Sequence, residues 1–402
     1  MTETGRRLVV VGGSLAGLRA VEAARKSGFA GEIVLVGEEN RLPYDRPQLS
    51  KDVLVGEEVT EVRPFRTAPE LQADAGTELW LGVRATALDT MERVVATTAG
   101  DLCYDTLVIA TGSRVIHLPG TQDHPSVHAL RTDADGLRLR QSLDEAGSVV
   151  VVGAGFIGSE VAASARAKGL DVTVLEAMDA PLIRAVGHEV GPLLGELHTR
   201  NGTTLRTGVG VDRVDRDDNA AVLCLSDGTT LTADVVVAGI GVQPNIEWVE
   251  GSGLQVGNGI LCSPDLSTGV PGVAAAGDVC SWVDPRWGRR TRTEHWTNAA
   301  EQGAHAARTV LDPENAIPYS ATPYFWSEWY GVKIQLVGRT DGEETLVLGS
   351  PEDLKFVVLY RHGDQLWGAL TVGRPGETNK LRRLLDTPTQ WDEAVAFARG
   401  RV

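Results

Sequence analysis

The sequence predicts an α/β protein built on two doubly wound parallel-sheet units with a smaller α+β domain after them. Three observations predict it. A glycine turn follows an apolar run twice, at residues 9–17 and 150–158, and each time an acidic residue closes the next apolar run about twenty positions on. From about residue 323 no such turn recurs, and alternating stretches such as 355–360 and 365–372 read as antiparallel strands. At 402 residues the chain exceeds one ordinary core and suggests two or three domains.

The first unit opens with the apolar run 8–11 and turns at Gly12-Gly13-Ser14-Leu15-Ala16-Gly17. Ser14 takes the middle glycine position and is small enough to leave room for a close ligand. The acidic partner is Glu38, after the run 33–36, with Glu39 a less favoured substitute. Residues 107–110 form a buried strand that runs into the small-residue turn Thr111-Gly112-Ser113.

The second unit carries a complete G-x-G-x-x-G, Gly153-Ala154-Gly155-Phe156-Ile157-Gly158. Gly153 allows the tight turn, Gly155 lets the backbone approach a pyrophosphate, and Gly158 lets the new helix pack closely on the sheet. The free N–H groups at that helix start face the anion. Both units are therefore read as Rossmann-like dinucleotide sites. The strand 172–175 ends at Glu176, which suits a ribose diol and would repel a 2′-phosphate, so NADH is favoured over NADPH. Arg184, a little further on, is a candidate contact for the nucleotide phosphates. The run 235–238 leads into Gly239-Ile240-Gly241 and repeats the strand-to-turn pattern.

The chain then returns to the first unit through 251–254 and the turn Gly277-Asp278, where an acid at the end of a short apolar run can bind a ribityl hydroxyl. The expected domains are 1–113 with 246–322, then 114–245, then 323–402. A final helix is expected over 380–385 or 392–399.

These segments together resemble the pyridine-nucleotide-dependent flavoproteins with two dinucleotide-binding domains, the glutathione reductase-like architecture, over about residues 7–310. The resemblance implies that the first glycine turn and Gly277-Asp278 hold FAD while the second turn holds the nicotinamide nucleotide. Cys103, Cys224, Cys262 and Cys280 form no C-x-x-C or C-x-x-x-x-C pair, which disfavours disulfide reductases such as lipoamide dehydrogenase or thioredoxin reductase. The segment 41–51, Arg-Leu-Pro-Tyr-Asp-Arg-Pro-Gln-Leu-Ser-Lys, looks like the one beside the flavin in ferredoxin reductases that serve cytochrome P450 and aromatic-ring dioxygenase systems. Residues 293–303 and 323–328 suggest the same subfamily and extend the likeness over nearly the whole chain.

Carried over residue by residue, the resemblance implies that Ala16, Glu38, Lys51, Arg131 and Asp278 touch FAD. Gly12, Ser14, Gly17, Thr111, Gly112 and Gly277 would line the same site, with Trp296 near the flavin ring. Ala85 is carried over on poorly matching surroundings. Gly153, Gly155, Ile157, Gly158, Glu176, Arg184 and Gly241 would serve the nicotinamide nucleotide. Glu160, early in the second unit's first helix, would pair with Lys51 and hold the ring stack; its alternative reading is a carboxylate at a helix N-terminus. Trp326, within an aromatic cluster, would flank the flavin and shape its exit face, although such a cluster also reads as simple core. Lys51, Glu160 and Trp326 are thus the expected catalytic residues; hydride transfer needs no acid or base, so His295 is given no role.

The implied activity is electron transfer from NADH through FAD to a [2Fe-2S] ferredoxin serving a P450 or Rieske-type oxygenase. Two alternatives stay open: NADH oxidation by oxygen or a quinone, and a redox-signalling flavoprotein like apoptosis-inducing factor. Oxidases that reduce oxygen fully commonly use a cysteine near the position of 47–50, where none stands. A net charge of −16 argues against nucleic acid and anionic membranes. It also requires a local basic patch for an acidic ferredoxin, and the candidates are Arg66, Arg286, Arg289, Arg290, Arg292 and Lys333. The eight histidines and four cysteines show no metal-ligand spacing. With no apolar run near the roughly 20 residues that span a bilayer, and no room for a signal peptide before residue 8, the chain is expected in the cytoplasm.

Overall fold

A computed structural model describes residues 5–56, 62–217 and 220–401. The chain divides into two compact units, one made of Met1–Asp45, Arg63–Arg114 and Gln243–Ala321, the other of Arg46–Val62, Val115–Val242 and Thr322–Val402.

The first unit is centred on five parallel strands in the order Val273–Ala275, Thr106–Ile109, Arg7–Val11, Glu32–Gly37 and Thr77–Leu81. The three central strands are nearly continuous Val, Leu and Ile, which is what a sheet covered on both faces demands. Residues such as Leu8, Val10, Leu35 and Ile109 are accordingly fully buried. The helices Leu15–Lys26 and Trp296–Leu311 approach closely because Gly303 has no side chain: a Cβ there would lie 2.1 Å from Ala16 O. An antiparallel meander, Ala85–Asp89, Val94–Thr97 and Gly100–Cys103, and a four-stranded sheet that includes Gly259–Cys262 and Cys280–Asp284 complete the unit.

The second unit repeats the design, with parallel strands in the order Thr204–Thr207, Asp171–Glu176, Ser148–Val152, Val235–Ala238 and Val127–His128. The helix Phe156–Ala167 follows its glycine turn. The segment 46–56 belongs here: Arg140 donates to Val53 O at 3.1 Å and Gly56 O at 2.6 Å, and Ser164 Oγ donates to Ser50 O at 2.6 Å. The C-terminal part is a five-stranded antiparallel sheet in the order Tyr324–Trp329, Val332–Gly338, Gln365–Val372, Lys355–His362 and Glu344–Ser350. Both stretches expected to hold the last helix are helical, in Pro375–Leu385 and Trp391–Arg399.

Candidate active site

The first glycine turn is shaped by close backbone approach. Gly12 has φ +132°, and a Cβ there would lie 2.0 Å from Ala110 O; a Cβ on Gly17 would lie 1.9 Å from Gly12 O. Ser14 is the extended N-cap of the helix Leu15–Lys26, whose first N–H groups have no intrahelical acceptor. Across the sheet, Gly112 (φ +65°) and Thr111 are tied to Asn245 by Thr111 Oγ1 to Asn245 O at 3.0 Å, Asn245 N to Gly112 O at 3.0 Å and Asn245 Nδ2 to Thr111 O at 2.9 Å. Asp278 accepts from Ser113 Oγ at 2.7 Å, and Gly277 N donates to Gln302 Oε1 at 2.9 Å. Glu38 is exposed and faces Arg84 at 3.6 Å, while Glu39 accepts from Tyr44 Oη at 2.6 Å. Trp296 Nε1 donates to Asp45 Oδ1 at 2.8 Å. Ala85 opens the meander's first strand. One unit therefore holds Gly12, Ser14, Ala16, Gly17, Glu38, Ala85, Thr111, Gly112, Gly277, Asp278 and Trp296.

The second glycine turn separates two kinds of glycine. Gly153 (φ +101°) and Gly158 are sterically obligatory, since a Cβ would lie 2.4 Å from Gly239 O in the first case and 2.1 Å from Gly153 O in the second. Gly155 has ordinary extended angles and its Cβ would meet nothing nearer than Gly239 O at 3.9 Å, so the fold itself does not require a glycine there. Glu176 is locked at its strand end: Oε2 accepts from Ala154 N at 2.8 Å and Oε1 from Met178 N at 2.9 Å. Ile157 is 47% exposed on the first helical turn. Gly241 (φ +113°) and Arg184 are also exposed.

Lys51 and Arg131, expected at the flavin, belong to this second unit. Arg131 lies just before the helix Asp133–Glu145; its N–H donates to Asp135 Oδ2 at 3.2 Å and its carbonyl accepts from Arg46. Lys51 Nζ is 2.5 Å from Glu160 Oε2 and donates to Pro47 O at 3.2 Å. Glu160 is only 3% exposed, and a carboxylate so buried is costly unless its oxygens are satisfied. Besides Lys51, Ser50 Oγ donates to Oε2 at 2.5 Å and Ser327 Oγ to Oε1 at 2.5 Å. Trp326 stacks on Tyr324 at 5.8 Å with 22° between the rings.

Sequence reasoning gave no role to Ser50, Ser327 or Trp329, the last of which donates from Nε1 to Ser327 Oγ at 2.9 Å. It also missed His198, fully buried, with Nδ1 at 2.8 Å from Tyr330 Oη and Nε2 at 3.1 Å from Ser159 Oγ. Burial holds the His198 imidazole down at about 4, so it is neutral at pH 7, and pushes the Tyr330 phenol up to about 12. Of the expected docking cations, Arg289, Arg290 and Lys333 are exposed. Arg290 donates to Cys262 O and Ser281 O, Arg292 bonds Asn258, Asp278 O and Glu294, and Arg66 pairs with Glu22 at 3.2 Å. None of the four cysteines is in a disulfide.

Residues 6–303 match the family described as pyridine nucleotide-disulphide oxidoreductase, and residues 324–399 match the domain described as reductase C-terminal. The chain is 37% identical to rhodocoxin reductase of Rhodococcus erythropolis, with 98% of this chain and 95% of the relative covered. It is 36% identical to the ferredoxin–NAD(+) reductase component of the p-cumate 2,3-dioxygenase system of Pseudomonas putida, over 95% and 94% of the two chains. Among solved structures, the covalent putidaredoxin reductase–putidaredoxin complex matches with a TM-score of 0.90 at 33% identity, covering 98% of this chain and 99% of the other.

Proposed function

The chain belongs to the pyridine nucleotide-disulphide oxidoreductase family, in its ferredoxin–NAD(+) reductase branch, and from that premise we propose that it passes electrons from NADH to a [2Fe-2S] ferredoxin serving a P450 or Rieske-type oxygenase. Its cofactors are FAD and NADH. FAD supplies a two-electron acceptor for the nicotinamide hydride and a one-electron donor for the ferredoxin.

The residues present fit that group. The cradle at Gly12 and Gly17 leaves no room for side chains and sets the helix N-terminus of Leu15–Lys26 where a pyrophosphate is favoured. Asp278, steadied by Ser113, offers a carboxylate oxygen to a hydroxyl. In the second unit, Gly155 admits the nicotinamide nucleotide's pyrophosphate and Glu176 receives its ribose hydroxyls. Lys51, Glu160 and Trp326 are assigned to orienting the reacting rings. Most of the rate enhancement then comes from positioning. We assign FAD to 1–113 with 246–322, the nicotinamide nucleotide to 114–245, and the acceptor side to 323–402, with the segment 46–56 of the first span packed in the second unit.

What carries the reading is likeness over nearly the full chain, C-terminal domain included, to reductases whose names state a ferredoxin or its oxygenase system. We place the enzyme in the cytoplasm, where NADH is generated; among the described residues no helix is long and apolar enough to cross a membrane. The test is anaerobic cytochrome c reduction by the FAD-loaded protein with NADH, with and without added [2Fe-2S] ferredoxins, and with NADPH in parallel. Strong dependence on a ferredoxin and on NADH is expected. Rapid flavin bleaching that no ferredoxin converts into cytochrome c reduction would overturn the acceptor.

A further inference from the structure

The nucleotide helix Phe156–Ala167 is engaged by one strand of the C-terminal sheet, Tyr324–Trp329, in matching register. Residues four apart on a helix share a face and are separated by about 6 Å along its axis, while residues two apart on a strand share a face about 6.6 Å apart. Phe156 and Glu160 meet Phe325 and Ser327 on that common spacing. The two phenyl rings lie 4.0 Å apart between centroids, and Ser327 Oγ donates to Glu160 Oε1 at 2.5 Å. Trp329, the next residue on the same strand face, is fully buried and donates from Nε1 to Ser327 Oγ at 2.9 Å.

The neighbouring helix residue is engaged as well. Ser159 Oγ reaches His198 Nε2, His198 Nδ1 reaches Tyr330 Oη, and Tyr330 Oη lies 2.9 Å from Thr203 Oγ1. The His198 ring lies 5.3 Å from that of Trp329 at 30°. Two hydrogen-bonded chains thus start from the stretch 327–330 and end on Ser159 and Glu160.

A carboxylate with one oxygen unpaired can rotate about its last torsion, which is broad for glutamate. Lys51 Nζ and Ser50 Oγ both engage Oε2. Ser327 supplies a donor to Oε1 and so fixes the plane of the group. Trp329 orients that donor, because an indole N–H occupying one lone pair of the serine oxygen leaves its O–H to point at Glu160.

We propose that Ser327, oriented by Trp329, is a positioning residue for NADH oxidation: it fixes the Glu160 carboxylate and, through it, Lys51 Nζ. The C-terminal domain thereby serves the NADH half-reaction in addition to the acceptor side. This rests on the reading of the chain as an NADH-oxidising flavoenzyme.

The experiment compares Ser327→Ala, Ser327→Thr, Ser327→Cys, Glu160→Gln and the Ser327→Ala/Glu160→Gln double variant as FAD-loaded proteins. Flavin reduction by NADH, followed anaerobically, should slow about tenfold in Ser327→Ala, the scale of losing one hydrogen bond to a charged group. Ser327→Thr should return to within about threefold of wild type, and Ser327→Cys, a weak donor of similar volume, should fall between. NAD⁺ affinity and reoxidation of the chemically pre-reduced enzyme by ferredoxin should stay within about twofold of wild type. The double variant should be no slower than Glu160→Gln alone. Independently of turnover, the Trp329 indole ¹⁵N–H resonance, assigned with Trp329→Phe, should shift in Ser327→Ala. A wild-type rate in Ser327→Ala, additive slowing in the double variant, or an unmoved indole signal would each overturn the inference. Absence of flavin reduction in the wild type would instead sink the underlying function, while a shifted indole signal would still report the Ser327–Trp329 bond.

Discussion

The specificity proposed for Glu176 rests on how its carboxylate is held. Its two oxygens are each pinned by a backbone N–H, from Ala154 and Met178, so the carboxylate stands at the strand end in one orientation. Hydrogen bonds to a charged acceptor are the stronger kind, and fixing the group in advance reduces the ordering cost when a ribose diol arrives. A 2′-phosphate at the same place would meet like charge. Glu176→Arg should therefore lower the ratio of kcat/KM for NADH over NADPH by at least about tenfold, since about 1.4 kcal/mol of lost preference suffices. Parallel steady-state assays with the two nucleotides measure it, and an unchanged ratio would remove the ribose assignment.

Elements raise a different question, whether a glycine serves the fold or the ligand. In the turn 153–158 the geometry separates the two roles. A Cβ on Gly158 would strike Gly153 O at 2.1 Å, backbone against backbone with nothing flexible to yield. Gly158→Ala should cost roughly 1–3 kcal/mol or more and lower the melting temperature by several degrees. Gly155 has extended angles and open space ahead of it. Gly155→Ala should keep the melting temperature within about two degrees yet weaken NAD⁺ binding by at least about tenfold, because the methyl occupies the path of the pyrophosphate. Thermal melts and NAD⁺ titrations of both variants test the division; equal loss of affinity and stability in both would refute it.

That turn also marks how far the sequence was legible. Glycine fingerprints are local, so two parallel-sheet units and their glycine turns could be read directly, as could the alternating strands 355–360 and 365–372. Lys51 with Glu160 was reached only through family likeness, and it is an ion pair at 2.5 Å. Ser327, though inside the 323–328 segment, was given no role: it meets Glu160 across 167 residues, and a serine in a strand leaves no periodic trace. The arginine cluster was legible only in part. Read as a string, 286–292 suggests outward charge, and Arg289 and Arg290 are exposed; what the string does not show is that the hairpin of Cys280–Asp284 with Arg289–Thr291 lets Arg290 also donate to the carbonyls of Cys262 and Ser281.

At the scale of the whole molecule, buried neutral histidines tie stability to pH. His198 is fully buried, both ring nitrogens are engaged, and burial lowers its folded value to about 4 from an ordinary 6.5. The faces packed against it carry Ser159, Thr203, Trp329 and Tyr330, whose phenol is held protonated, so no carboxylate among these partners offsets a charge on the ring. A group with a depressed folded value favours the native state above its unfolded value, and that contribution is lost as pH falls through the folded one. Between pH 6.5 and 4 the unfolded chain takes up a proton that the native state refuses, so stability must fall over that window by up to about 3 kcal/mol from this residue. His128 and His305 are lowered in the same direction, chiefly by burial, and leave a smaller slope of the same sign. His198→Gln loses part of the hydrogen-bonded chain and should be less stable than wild type at pH 7.5, but its melting temperature should decline less steeply from pH 6.5 to 4.5. Scanning calorimetry of both proteins across that range decides the matter; parallel declines would mean that His198 carries its proton in the folded state or is not buried as described.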